Sequence, residues 1–133
     1  MATRSNIGYT LPNGKIRFVY CHWDGYPEYN GHILQHNYQQ ARKIAQLVEL
    51  GDMSILGEEI GVKVDFDDRD AQKGQCLYYG RDRGETGVEP KETDNVQDFF
   101  QNDYAYLWNG TEWIVFDYDN KQGRPLIQVL PAE

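Results

Sequence analysis

Hydrophobic and polar positions alternate from Thr3 to Leu11, with Ile7 and Tyr9 on one face, and this period of two predicts a strand. Pro12-Asn13-Gly14 is a turn signal. Lys15 to Trp23 alternates again. Ile16, Phe18, Tyr20 and His22 share one face, and Arg17, Val19, Cys21 and Trp23 share the other. Apolar residues on both faces predict a central strand, and the two segments read as a hairpin across Asn13-Gly14.

The pattern breaks over Asp24 to Gly31. Ile33 to Leu50 then takes a helical period, with Leu34, Tyr38, Ala41, Ala45 and Val48 on one face and Ile44 and Leu47 beside them. Asn37 marks a potential break, and Gly51 suits the C-terminal cap. Residues 52–74 are mixed, with a short candidate strand at Val62-Lys63-Val64, and Gln75 to Tyr79 reads as another. Gly80 to Asp94 carries eight charged residues and three glycines and is expected to be a loop.

Asn95 to Asn102 predicts a short helix capped by Asn95 or Asp94. Tyr104 to Trp108 and Glu112 to Tyr118 flank Asn109-Gly110, the clearest hairpin signal in the chain. Leu126 to Leu130 suits an edge strand or a short helix. The expectation is a single α+β domain over 1–133. Its mostly antiparallel sheet is built from hairpins, with one longer helix (about 33–50) and a short one (about 95–102) packed on it.

Composition narrows the function classes. The 133 residues are 40% hydrophobic, enough for one core but not for two independent ones. The net charge of -8 argues against non-specific nucleic-acid binding, which needs clustered Lys and Arg. Tyr (10) and Trp (3) dominate the aromatics and suit either sheet packing or a binding surface. Cys21 and Cys76 lack metal-ligand spacing and read as small core residues of a reducing cytosol. Met-Ala-Thr-Arg-Ser runs straight into a strand pattern without a secretory leader, and no apolar run approaches membrane-spanning length. No metal or cofactor is expected.

Two segments carry candidate chemistry. Tyr20 to Glu28 sits where a strand gives way to a tight turn, a rigid place for a site. There His22 is a candidate acid or base with Asp24 to orient it, while Trp23 and Tyr26 suit stacking on a planar ring. The structural alternative is that Asp24-Gly25 forms the turn while His22 and Trp23 pack. In Tyr78 to Glu85, Tyr79 precedes a glycine-flanked pair, Arg81 and Arg83, whose planar forks suit phosphate or carboxylate. The alternative there is a solvated loop whose arginines pair with Asp82, Glu85 or the acidic residues upstream. Arg4 belongs at the same end of the first hairpin as His22 to Tyr26. Asp65, Asp67, Asp68 and Asp70 lack the glycine and glutamate of a calcium loop. Phosphate-loop, nucleophile-elbow and zinc-protease motifs are absent.

The opening Met-Ala-Thr-Arg-Ser-x-Ile, the run from Tyr20 to Gly31 and the run from Tyr79 to Glu85 resemble a group of small bacteriophage-encoded proteins without an agreed activity. The resemblance implies a setting, the cytoplasm of an infected bacterium, and a role in host takeover or in countering host defence. Three functions remain open. The first is reversible sequestration of a nucleotide-derived signal by Arg4, His22, Trp23, Asp24, Tyr26, Tyr79, Arg81 and Arg83. The second is degradation of such a ligand by His22 with Asp24. The third is docking of an acidic inhibitor on a host defence protein. A homo-oligomer fits the first, because small binders often build pockets between subunits.

Overall fold

A computed structural model describes residues 2–70 and 72–130. Its backbone is an eight-stranded mixed sheet, mostly antiparallel, with short helices on both faces. Strands β1 (Ser5–Thr10) and β2 (Ile16–Cys21) form the expected hairpin, with Ile7 opposite Val19. Its turn closes through Leu11 N–H to the Lys15 carbonyl at 2.7 Å, with Gly14 at a φ of 87° that favours glycine.

Three further strands extend the sheet from the free edge of β2. Here β3 (Met53–Ile55) runs parallel to β2 at Cys21 and is followed by β4 (Leu77–Tyr78), while β5 (Lys91–Thr93) pairs with Ile16 to Phe18. On the other side β1 pairs in parallel with β6 (Tyr104–Trp108). The expected Asn109-Gly110 hairpin joins β6 to β7 (Trp113–Asp117), and β8 (Asn120–Pro125) closes that edge. The order is β4-β3-β2-β1-β6-β7-β8, with β5 beside β2.

Two helices, α1 (His32–Asn37) and α2 (Ala41–Glu49), cover one face. Their Leu34, Ile44, Leu47 and Val48 pack with Ile7, Val19, Tyr106 and Val115 of the sheet. Burial of this kind contributes about 25 cal/mol for each Å² of apolar surface and outweighs local helix propensity. The expected long helix is therefore two. Tyr38 turns inward between them, its hydroxyl donating to the Gly57 carbonyl at 2.7 Å while its own carbonyl accepts Trp113 Nε1–H at 2.7 Å. Those bonds replace a turn of helix. Ala41, expected on the buried stripe, is exposed.

The opposite face is covered lightly. The short helix expected near 95–102 spans only Val96–Phe99. Asn95 caps it by accepting the Gln97 N–H at 2.9 Å. Phe99 packs edge-on against Phe18, with ring centroids 5.4 Å apart. Two other expectations need correction. Val62–Val64 is no strand, because the Val64 N–H bonds to the Asp82 carboxylate. The supposed loop after Tyr79 contains a helical turn, Tyr79–Arg83, and β5. In the tail the short-helix alternative holds, as a 3₁₀ helix at Leu126–Gln128 directly after β8. We label the Tyr79–Arg83 turn α3 and the Val96–Phe99 helix α4. Cys21 and Cys76 are free and buried, and burial pushes the Cys21 thiol up to about 12.

Candidate functional site

The segment after β2 is a rigid projection. His22 and Trp23 extend the sheet, donating backbone N–H groups to Met53 and Ser54. Asp24 then takes a φ of 58°, the only non-glycine residue with a positive φ among those described. Such strain persists when neighbours impose it. Gly25 supplies the restraint, since its N–H donates to the Thr3 carbonyl at 2.9 Å and its carbonyl accepts the buried Tyr106 hydroxyl at 2.6 Å. A Cβ at Gly25 would lie 2.9 Å from the Thr3 carbonyl oxygen, so the close approach requires glycine. The buried Asn30 side chain donates to the Trp23 carbonyl at 3.1 Å, and Pro27–Gly31 forms a wide π-helical turn leading into α1. Helical turns of this width often mark functional sites.

These contacts account for Gly25, Pro27, Asn30 and Gly31 as scaffold, and packing does not account for the aromatics. Trp23, Tyr26 and Tyr29 remain 44%, 37% and 40% exposed on this one projection. Clustered exposed aromatics on a rigid support characterise binding surfaces.

His22 has a different neighbour from the one expected. Its Nδ1 shares a 2.6 Å hydrogen bond with the Tyr20 hydroxyl, and its ring meets Trp23 edge-on at 4.7 Å. Asp24 instead accepts from the Tyr26 hydroxyl at 3.4 Å. Coulombic repulsion by Asp24 is the largest influence raising the Tyr26 hydroxyl above its ordinary value. The His22–Asp24 dyad is thus replaced by a Tyr20–His22 pair, because alternation along β2 sends Tyr20 and His22 to the same side. Burial raises Tyr20, and the Arg4 charge opposes it.

The two arginines of the second motif part company. Arg81 is largely buried and bonds the carbonyls of Ile60, Gly61 and Cys76 and both oxygens of Asp82, at 3.0 to 3.3 Å. Those bonds engage its whole fork and leave it a scaffold residue rather than a phosphate ligand. Arg83 is half-exposed, pairs with Glu85, and lies over the rings of Phe66 and Tyr79 at 4.6 and 4.8 Å. Phe66 and Tyr79 stack on each other at 5.7 Å. Burial raises the Tyr79 hydroxyl.

Arg81 anchors a long irregular segment between Leu56 and Cys76. At its neck the Glu59 N–H bonds to the Gly74 carbonyl and the Cys76 N–H to the Glu59 carbonyl. In its acidic stretch Asp65 and Asp68 accept the backbone N–H groups two residues on, so these carboxylates build turns. Among the described residues no three His, Cys, Asp or Glu side chains converge as a metal site.

A cleft of about 990 Å³ separates this segment from the aromatic projection. Trp23, Glu28, Tyr29 and His32 form one wall, and Phe66, Arg69, Gln72 and Lys73 form the other, with Ile55 and Leu77 also lining it. Of the expected site residues, Trp23 lines the cleft itself. Tyr79 and Arg83 are joined to it through Phe66, and His22 adjoins it through Trp23. Tyr26 and Asp24 lie on the same projection, Tyr26 with its ring 6.4 Å from that of Tyr29. Arg4 shares this end of the hairpin but lines a separate hollow with Gln101, Asn102, Asp103 and Tyr118. The sequence reading missed Tyr29, His32, Phe66, Arg69 and Lys73. Tyr29 stands within the motif run, while Phe66 is the one aromatic amid the acidic stretch.

Among the described residues no helix is long and apolar enough to cross a membrane. Comparison with family models, curated proteins and solved structures gives no match to the chain.

Proposed function

We propose that the protein is a phage accessory protein that binds and sequesters a nucleotide-derived signalling molecule, holding it in the cleft between the Trp23–His32 projection and the Phe66–Lys73 segment. The observation that carries this reading is that the exposed Trp23 and Tyr29 rings and the cations Arg69 and Lys73 line one cleft of about 990 Å³. Stacking on aromatics contributes about 1–3 kcal/mol per base, and cations on the facing wall suit phosphate oxygens. The volume is at the upper end of small-ligand pockets, roughly 300–1,000 Å³, as a dinucleotide-sized ligand needs. The motif resemblance supplies the phage setting.

Sequestration is favoured over degradation because Asp24 bonds to Tyr26 and leaves His22 without the carboxylate that would orient a general base. A docking role has one observation in its favour. Asp24 and Glu28 flank the exposed Trp23, Tyr26 and Tyr29, a pattern that also suits a basic protein surface.

A thermal-shift screen separates these readings. The panel holds cyclic di- and trinucleotides, ADP-ribose isomers, NAD and free nucleotides. A ligand at 100 times its dissociation constant adds about 2.7 kcal/mol of stability. The sequestration reading expects one member to raise the melting temperature and return intact after denaturation. A cleaved product points to catalysis with His22. The absence of any shift across the panel contradicts nucleotide binding and leaves the docking role.

A further inference from the structure

A second cleft, of about 560 Å³, lies on the face of the sheet that α1 and α2 leave open. It arises from a gap in strand pairing. On its free edge β2 pairs with β5 up to Phe18 and with β3 only at Cys21, so the Tyr20 N–H has no strand partner. The Asp52 carboxylate takes that N–H at 2.9 Å and fills the place of a strand. Phe18 and Tyr20 floor the opening, β5 walls one side, and the connection from α4 to β6 walls the other.

Much of the polar lining is internally engaged. Glu92 pairs with Arg17 at 2.8 Å, Asp98 accepts the Thr93 hydroxyl at 3.1 Å, and Asn102 donates to Asn6 at 3.1 Å. Three groups differ. The Lys91 and Gln101 side chains make no hydrogen bond or ion pair among the described residues, and Asp52, which also lines the cleft, uses one carboxylate oxygen for Tyr20. Burial raises the half-buried Asp52 carboxyl above its ordinary value, while the Tyr20 N–H and the nearby Lys91 charge, which forms no ion pair with it, oppose that rise.

The three uncommitted groups are an anionic acceptor, a cationic donor and an amide that does both. A phosphate would meet Asp52 and Asp98, and an organic cation would meet Lys91. A neutral ligand with several hydroxyls suits all three, because each hydroxyl both donates and accepts. The Tyr20 and Phe18 rings offer an apolar floor for the C–H face of such a ligand. We infer that this cleft is a binding site for a neutral polyhydroxylated molecule of mono- or disaccharide size, held by Asp52, Lys91 and Gln101 over Tyr20. It stands apart from the Trp23 cleft and does not depend on the function proposed for that one.

Saturation-transfer NMR on the full chain tests the inference, with glucose, galactose, mannose, N-acetylglucosamine and maltose as probes and glycine and inorganic phosphate as controls. At least one sugar should receive saturation at its ring protons. Lys91 and Gln101 are exposed, so their replacement leaves the core intact. Lys91→Ala should weaken binding about tenfold, the size of one hydrogen bond to a charged group, and Gln101→Ala about fivefold, the size of a neutral one. Trp23→Ala should leave it unchanged. The inference is overturned if no sugar receives saturation, if a control binds in their place, or if sugar binding survives in Lys91→Ala and Gln101→Ala alike.

Discussion

Arg81 and Arg83 stand two positions apart in one glycine-flanked motif, yet the structure gives them opposite roles. Arg81 is 13% exposed at its side chain beside a fully buried Asp82 carboxylate, and it ties three carbonyls of neighbouring segments together. Removing one partner of a buried ion pair leaves the other charge uncompensated and costs about 3–5 kcal/mol. Asp82 keeps N–H bonds from Val64 and Tyr78, so the low end applies. Arg81→Ala should therefore lower stability by about 3 kcal/mol in urea unfolding. A variant with unchanged stability and lost ligand binding would instead make Arg81 a ligand contact. The sequence placed Arg81 and Arg83 on equal terms because spacing tells which residues are close along the chain and not which carbonyls approach from 20 residues away. His22 carries the same lesson, since its partner Tyr20 was legible from the period of two along β2, while Asp24 was the nearer carboxylate in sequence.

At the scale of elements, local signals proved legible. Asn13-Gly14 and Asn109-Gly110 each joined adjacent strands as expected, since a hairpin needs no information beyond its own turn and alternation. The Asn95 cap is another local signal. Asn95→Ala should lower the urea midpoint, by an amount equivalent to about 1 kcal/mol of stability, because α4 has only four residues and its first turn relies on that side chain. An unchanged midpoint would show that Phe99 packing alone holds α4. Non-local events were illegible. The parallel pairing of β1 with β6 joins Ser5 to Tyr104 across the length of the chain, and no local pattern announces it. The break between α1 and α2 was visible only as a discontinuity near Asn37, because its cause is the demand of Gly57 and Trp113 for Tyr38.

For the whole molecule, the sheet's unequal cover decides where chemistry can occur. One face is sealed by α1 and α2 over a continuous core, while the other is covered mainly around Phe99 and leaves polar and aromatic side chains accessible. The parallel run of β2 and β3 brings the Trp23 projection beside β3, and β4 brings Tyr79, Phe66 and Arg83 to the same end. The first motif lines the cleft through Trp23, Glu28 and Tyr29, whereas Tyr79 and Arg83 of the second reach it only through their contacts with Phe66. The cleft's lining residues Tyr29, Phe66, Arg69 and Lys73 belong to stretches without periodic pattern and became visible only with the fold.

The central claim is that a ligand stacks on Trp23, and the tryptophan distribution allows a direct measurement. Trp23 is 44% exposed, whereas Trp108 and Trp113 are 6% and 1% exposed, so iodide quenching of the folded protein reports on Trp23 alone. Quenching should be titrated with and without the ligand that gives the largest thermal shift. The account predicts that bound ligand shields Trp23 and suppresses iodide quenching, and that Trp23→Ala removes both the quenchable emission and the thermal shift. A ligand that stabilises the protein while Trp23 remains as quenchable as before would place binding elsewhere and contradict the account.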